Sequence, residues 1–318
     1  MTRRQTRSPR GNAAHRMLLD SMDNAVRQIQ GKTSDEGVHD ARKSLKKARA
    51  ALRLLREVLG DRRYQKENAA LRDAGRMLSP LRDAKVLTDA LEALKERYAD
   101  ELEGLGFTHL HDDLRSELDR IRASLRRDDS AVLKRCVAAI RAARRRAASW
   151  RLKPDPDATL EGLRKLYRKA RKAEAAAISG GESAAFHELR KQVKYLFNAT
   201  APLQESGDGA LSKARDRADQ LADELGDDHD LAVLCERALR RPGAEKPEAI
   251  EALAALVRKR RAKLQKRAIR LGEKLFDRKP RKFVAEVSSD SRRPPADASS
   301  GTVAGRPSPR PRPRPGGC

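Results

Sequence analysis

Leucine, alanine and valine recur along this chain at steps of three and four residues, the spacing that gathers side chains on one face of a helix. The most regular stretch is Val38 to Leu59, VHDARKSLKKARAALRLLREVL, in which Val38, Ala41, Leu45, Ala48, Leu52, Leu55 and Leu59 form one apolar seam. Before it, Ala13 to Gln30 repeats the pattern and stops at Gly31, and Ser34 or Asp35 supplies a cap for the next helix. Gly60-Asp61 ends that helix, and a third runs from Arg63 to Leu78. Ser79-Pro80 breaks it, because proline lacks an N–H and disfavours helix at the residue before it. A fourth helix then starts within LRDAKVLTDALEAL. A loop at Gly104 to Phe107 precedes helices over Leu110–Leu125 and Val132–Ala148, and Trp150 with LKPDPDAT marks a hinge.

The second half opens near Leu160 with GLRKLYRKARKAEAAA, is broken by SGGES and resumes as FHELRKQVKYLFNA. After the break APLQESGDG come SKARDRADQLADELGDDHDLAVLCERAL and a long basic helix from Ile250 to Phe276, whose end Phe276 and Phe283 are expected to dock. The pattern predicts an all-α protein, with few β-branched runs. Residues 1–12 read as a disordered basic arm, 13–287 as the folded part, and 288–318 as an unfolded Pro/Arg-rich tail.

The polar side of the Val38–Leu59 helix changes the picture. His39, Arg42, Lys46, Arg49 and Arg53 follow the same spacing as the seam, rotated about it, with Lys43, Lys47 and Arg56 alongside. A solvated helix face usually mixes Glu with Lys. Between His39 and Arg56 the only acid is Asp40, so this ladder of cations calls for an external counter-ion. In the second half, Arg164, Arg168 and Arg171 share a face. The whole chain has the same bias: 71 Lys plus Arg against 46 Asp plus Glu, a formal net charge of +25 over 318 residues. That much self-repulsion points to a polyanionic partner. Aromatic residues make up only 3%, too few for stacking platforms that bind single-stranded nucleic acid.

The two halves resemble each other. VHDARKSLKKAR aligns with FHELRKQVKYLF at an offset of 148 residues, placing His39 on His187, Arg42 on Arg190, Lys43 on Lys191 and Lys46 on Lys194. MLSPLRDAKVL aligns with ELGDDHDLAVL at an offset of 147, placing Asp83 on Asp230. Two blocks in the same order at nearly one offset indicate an internal repeat, about 13–150 and 158–287. In the second block Phe186, Leu189, Val193 and Leu196 make the seam, and His187, Arg190, Lys191 and Lys194 the cationic stripe.

The motif H-x-x-R-x-x-x-K-K-x-R followed by L-x-x-L-R-D-A-K-V-L, repeated as H-x-x-R-K-x-x-K and L-G-D-D-H-D-L-A-V-L, resembles the CHAD domain, the conserved histidine α-helical domain. The resemblance implies two pseudo-symmetric antiparallel helical bundles around a basic groove or cavity, binding of inorganic polyphosphate and association with polyphosphate granules. It places His39, Arg42, Lys46, Lys47, Arg49, His187, Arg190 and Lys194 at anion-binding positions. Phe197-Asn198 and Ala201 depart from the family pattern, so the second ladder is shorter. No strand with Glu-x-Glu-x-Lys is present, so the sequence resembles a stand-alone member without a CYTH domain.

The expected mode of recognition is electrostatic. Arg offers a planar fork for two phosphate oxygens and Lys a mobile point charge. Cationic neighbours and a helix N-terminus are expected to depress the pKa of His39 and His187, so that polyanion binding takes up protons. Enzymatic readings find little. His39-Asp40, His111-Asp112 and His229-Asp230 superficially suggest a phosphohydrolase but assemble no metal set, and Asp83 and Asp230 suit pairing with basic residues. Gly31-Lys32-Thr33 lacks the upstream glycine of a P-loop, and Lys191 stands where the second His of HExxH belongs. The expectation is a non-enzymatic protein with no metal or cofactor. Nonspecific nucleic-acid binding is the first alternative and phosphate transfer or hydrolysis the second. Cys136, Cys235 and Cys318 lie far apart, which reads as reduced thiols, and the absence of a signal peptide or bilayer-length apolar run reads as a cytoplasmic protein with no membrane partner.

Overall fold

The computed structural model describes residues 10–31, 35–102, 107–126, 130–203, 209–240 and 245–290. In chain order these form α1 (Arg10–Gly31), α2 (Asp35–Leu54), α3 (Arg56–Leu59), α4 (Asp61–Met77), α5 (Ser79–Arg97), α6 (Ala99–Leu102), α7 (Thr108–Arg126) and α8 (Ala131–Ala148). The second half contributes α9 (Pro156–Gly180), α10 (Ser183–Thr200), a 3-10 turn (Ala201–Leu203), α11 (Ala210–Leu239), α12 (Pro247–Leu275) and α13 (Pro280–Asp290). Every regular element among the described residues is helical, and none of the helices is long and apolar enough to cross a membrane.

Local chemistry accounts for most boundaries. Asp155 caps α9 by accepting from the Ala158 amide (2.8 Å), with Pro156 in the first turn. Gly181 ends the same helix at φ 62°, a left-handed conformation that glycine adopts without steric cost. Gly60, between α3 and α4, takes φ 74° with ψ 158°, an extended positive-φ conformation that is open to glycine. Only Leu78 separates α4 from α5, and Pro80 falls in the first turn of α5, where its missing N–H has no helical partner.

Some boundaries differ from the pattern's expectation. α1 begins at Arg10, inside the stretch expected to be an arm; residues 1–9, Ser34, 204–208 and the tail 291–318 with Cys318 lie outside the described residues. Asp35 is the first residue of α2, and its carboxylate accepts from Arg122 Nε of α7 (3.1 Å), which ties it across the fold. α13 runs to Asp290, past the expected boundary at 287, because Asp290 Oδ2 accepts from the Ala210 amide (2.7 Å) and so satisfies the start of α11. The helix expected over Val38–Leu59 is interrupted at Leu55. The interruption falls where α9 crosses it: a Cβ on Gly162 would stand 2.7 Å from the Leu54 carbonyl oxygen.

The hydrophobic core does not divide at the boundary between the sequence halves. One apolar cluster joins α1, α2, α4 and α8 to α9, α10, the first half of α11 and α13. The other joins the end of α5, Tyr98, Phe107 and the start of α7 to the second half of α11 and the first half of α12. Each cluster therefore takes side chains from both halves. Tyr167 sits in the first, fully buried between Phe276 and Phe283, with its hydroxyl donating to the Leu275 carbonyl (2.9 Å). That docks the end of α12 as the two phenylalanines led one to expect.

Candidate anion-binding site

With its seam committed to the core, α2 turns Arg42, Lys46, Arg49 and Arg53 into a cavity of about 1010 Å³. α3 and α4 add Arg56, Tyr64, Arg72 and Arg76, α9 adds Lys165, Arg168 and Lys169, and α10 adds Lys191, Gln192 and Tyr195. Eleven Lys and Arg side chains thus line one space with two carboxylates, Glu57 and Asp61.

Those two carboxylates are already taken. Glu57 pairs with Lys165 (2.7 Å) and Asp61 with Arg56 (2.7 Å). Arg72 pairs with Asp73 (2.8 Å), and Lys191 pairs with Glu188. Among the described residues, Lys46, Arg49, Arg53, Arg168 and Lys169 make no ion pair with a carboxylate.

The arginines are held in place by neutral partners. Arg42 donates to the Gly75 carbonyl (3.1 Å) and to Ser79 Oγ, with Asp83 at 4.0 Å. Arg49 donates to Asn68 Oδ1 (3.0 Å) and Tyr195 Oη (3.5 Å), and Arg53 donates to the Arg49 carbonyl (2.8 Å). The Arg53 guanidinium lies 3.5 Å from the centre of the Tyr195 ring, a cation–π contact that fixes it without cancelling its charge.

The cationic stripes of α2 and α10 approach each other at one edge of this site. Arg42 and Lys46 of α2 lie within electrostatic reach of Arg190 and Lys194 of α10, and Arg82 of α5 joins them. Burial first, then these cations, pushes the Lys46 ammonium down to about 8. Arg190 Nε is buried with no hydrogen-bond partner, a polar group left open.

Several expected residues lie elsewhere. His39, Lys43, Lys47, Arg164, Arg171, His187, Arg190 and Lys194 do not line the cavity. Lys43 is exposed beside Asp40 (4.0 Å), and Lys47 is exposed. On α9 the face is rotated from the expected one: Gly162 allows close approach to Leu54, so Lys165 and Lys169 face the cavity with Arg168, while Arg164 pairs with Glu161 (2.5 Å). On α10, Lys191, Gln192 and Tyr195 take the cavity side. His187, Arg190 and Lys194 are turned toward other partners: His187 Nδ1 is 3.2 Å from His229 Nδ1, Arg190 feels Asp230 and Asp83, and Lys194 feels Asp219, Asp223 and Asp230. The second ladder is therefore partly compensated by acids of α11.

Both histidines have lowered pKa values, as their cationic neighbours led one to expect, with burial as the first cause. Arg82 and Lys43 add to it for His39, and Arg190 and Lys191 for His187. His229 is pushed down to about 4 by burial, Arg190, His187 and Arg261.

The cavity is also lined by residues that the ladder pattern did not single out, Arg72, Arg76, Lys165, Lys169 and Tyr195, and Arg82 stands within electrostatic reach of its edge. Arg82 had a signal, since the 147-residue offset places it on His229. Lys165 and Lys169 follow Gly162 at three and seven residues, and a glycine within a helix marks the face of closest approach.

Comparison with known proteins adds an independent line. The family model described as CHAD domain matches residues 13–239. Among solved structures, PptA from Streptomyces chartreusis superposes with a TM-score of 0.57 at 18% identity, covering 85% of this chain and 100% of its own. The crystal structure of the CHAD domain from the plant Ricinus communis superposes with a TM-score of 0.54, also at 18% identity, covering 89% of this chain and 92% of its own. At this identity the likeness is one of fold. Comparison with curated protein sequences returns no match.

Proposed function

Since the chain belongs to the CHAD domain family, we propose that it binds inorganic polyphosphate without chemical turnover, in the cavity between α2, α4, α9 and α10. The observation that carries this reading is the excess of cation in that cavity, with both lining carboxylates occupied and Lys46, Arg49, Arg53, Arg168 and Lys169 left without one among the described residues. Polyphosphate carries about one charge per unit and has no bases, so charge density and phosphate geometry are all that a protein can read. Arginines fixed by Asn68, Tyr195 and backbone carbonyls are ordered before the ligand arrives, which reduces the entropy lost on binding. A polymer longer than the cavity engages several protein copies at once, which supports association with polyphosphate granules.

The test is a titration of full-length protein with labelled polyphosphate, duplex DNA and single-stranded RNA at equal phosphate concentration, followed by measurement of polyphosphate length. Polyphosphate is expected to bind most tightly and to keep its length. Preference for nucleic acid would replace this reading with a nonspecific nucleic-acid binder, and shortened chains with a hydrolase. The variant Arg42→Glu/Lys46→Glu/Arg49→Glu is expected to lose binding while its circular dichroism stays helical.

A further inference from the structure

α12 repeats on an open face the pattern that α2 turns into the cavity. Lys259, Lys263, Lys266, Arg270 and Lys274 recur at steps of three and four residues, so they share one side of the helix. All five are exposed, while Val257, Leu264, Ala268 and Leu275 on the other side are buried. At ~1.5 Å rise per residue the row runs about 22 Å. A solvated helix face usually mixes acids with bases, but Glu273 is the only acid between Arg258 and Lys274. Lys259 lies 3.9 Å from Glu101, and Glu224 of α11 takes Arg267 (3.7 Å), which flanks the row. Lys263, Lys266, Arg270 and Lys274 make no ion pair among the described residues. No α12 side chain lines the cavity, and the helix begins at Pro247, beyond the residues 13–239 that the family model matches.

We propose that this face of α12 is a second docking surface for phosphate polymer, holding a stretch separate from the one in the cavity. The inference rests on the preceding section for the identity of the polymer and on α12 for the surface. Charge complementarity selects the occupant. Between Arg258 and Lys274 there is no aromatic ring to stack on a base and no exposed large apolar side chain to enter a bilayer, which disfavours single-stranded nucleic acid and lipid. Duplex DNA is stiff, and its strands wind away from a straight row of cations, whereas a flexible phosphate chain follows the row from end to end. Because the row is open to solvent and screened by salt, it binds more weakly than the cavity. Its effect is on assembly: a protein with one enclosed and one open site links two polymer chains, which a single cavity cannot do.

The test is a lysine footprint of full-length protein. The protein is reductively methylated with formaldehyde and cyanoborohydride, alone and with long-chain polyphosphate or duplex DNA at equal phosphate concentration, and each lysine is quantified by peptide mass spectrometry. Methylation keeps the ammonium charge, so labelling does not dismantle the row. Polyphosphate is expected to suppress labelling of Lys263, Lys266 and Lys274 and to leave exposed Lys134 of α8 unchanged. Equal suppression at Lys134, or stronger suppression of the α12 lysines by duplex DNA, would overturn the proposal. Suppression at Lys46 and Lys169 without the α12 lysines removes this inference and keeps the cavity reading; the converse pattern does the opposite. In light scattering with long-chain polyphosphate, Lys263→Glu/Lys266→Glu/Arg270→Glu is expected to lose the cross-linking expected of the wild type. Arg120→Glu/Lys134→Glu/Arg135→Glu, an equal charge change at exposed positions off α12, is expected to keep it. Equal scattering from the two variants, whether high or absent, would remove the bridging role and the proposal with it.

Discussion

Single residues carry the pH response. Glu174 is buried in α9, with one carboxylate oxygen lacking a hydrogen bond, and burial raises its pKa to about 7. The folded state therefore holds a proton that the unfolded chain has released between about pH 4.5 and 7, so stability present below 4.5 is lost as pH rises through 7. Glu174→Gln is expected to raise the melting temperature at pH 8, by the equivalent of up to about 3 kcal/mol, and to leave it nearly unchanged at pH 4.5. His229 acts in the opposite sense. With its pKa down at about 4, it stays neutral in the folded protein while the unfolded chain takes up a proton below 6.5, so stability falls as pH drops from 6.5 toward 4. Thermal melts of His229→Gln are expected to show a shallower loss over that window. If the proposed binding holds, a polyanion is expected to raise the lowered pKa values of Lys46, His39 and His187, and affinity for polyphosphate to decline from pH 7 to 9 as Lys46 loses its proton. A flat profile, with no proton uptake by calorimetry in two buffers, counts against this.

At the scale of elements, the register of α9 against α2 decides which cations share the cavity. Gly162 makes that register possible, because its absent Cβ would meet backbone atoms of Leu54 at 2.7 and 2.9 Å, and backbone gives way far less easily than a side-chain tip. Gly162→Ala is expected to cost about 1–3 kcal/mol, the usual range for overpacking, and to weaken anion binding by displacing Lys165, Arg168 and Lys169. Chemical denaturation and a polyphosphate titration on the same sample check both parts. The rotation of α9 also explains why the expected stripe Arg164, Arg168 and Arg171 reached the cavity only through Arg168. Sequence spacing gives which residues share a face, but not which of several polar faces a neighbouring helix leaves uncovered.

For the whole molecule, the relevant quantities are summed charge and a shared core. If the five cavity cations that lack a carboxylate partner among the described residues all engage phosphate, log affinity is expected to fall with log salt at a slope of roughly −4, about two orders of magnitude between 50 and 200 mM. A slope near −1 would mean that most of the ladder stays out of contact. Because each apolar cluster draws on both halves, residues 1–150 and 151–318 produced separately are expected to lack sharp near-ultraviolet circular dichroism, and to gain it only when mixed.

What the sequence settled by itself was what depends on neighbours along the chain. The three- and four-residue apolar periodicity specified an all-α protein, Ser79-Pro80 and Gly181 marked two of its breaks, and the absence of acids between His39 and Arg56 other than Asp40 marked α2 as a cationic face. Those features are local, and helix geometry converts them directly into faces. The tertiary structure alone decided that α10 sets Tyr195 beside the expected Lys191 on the cavity, with Lys194 turned toward Asp219 and Asp223, and that Tyr195 reaches across to hold Arg49 and Arg53. It also decided that the two halves pool their cores. The rotation and packing partner of a helix are set by which surfaces meet across the fold, and no spacing within one helix encodes them.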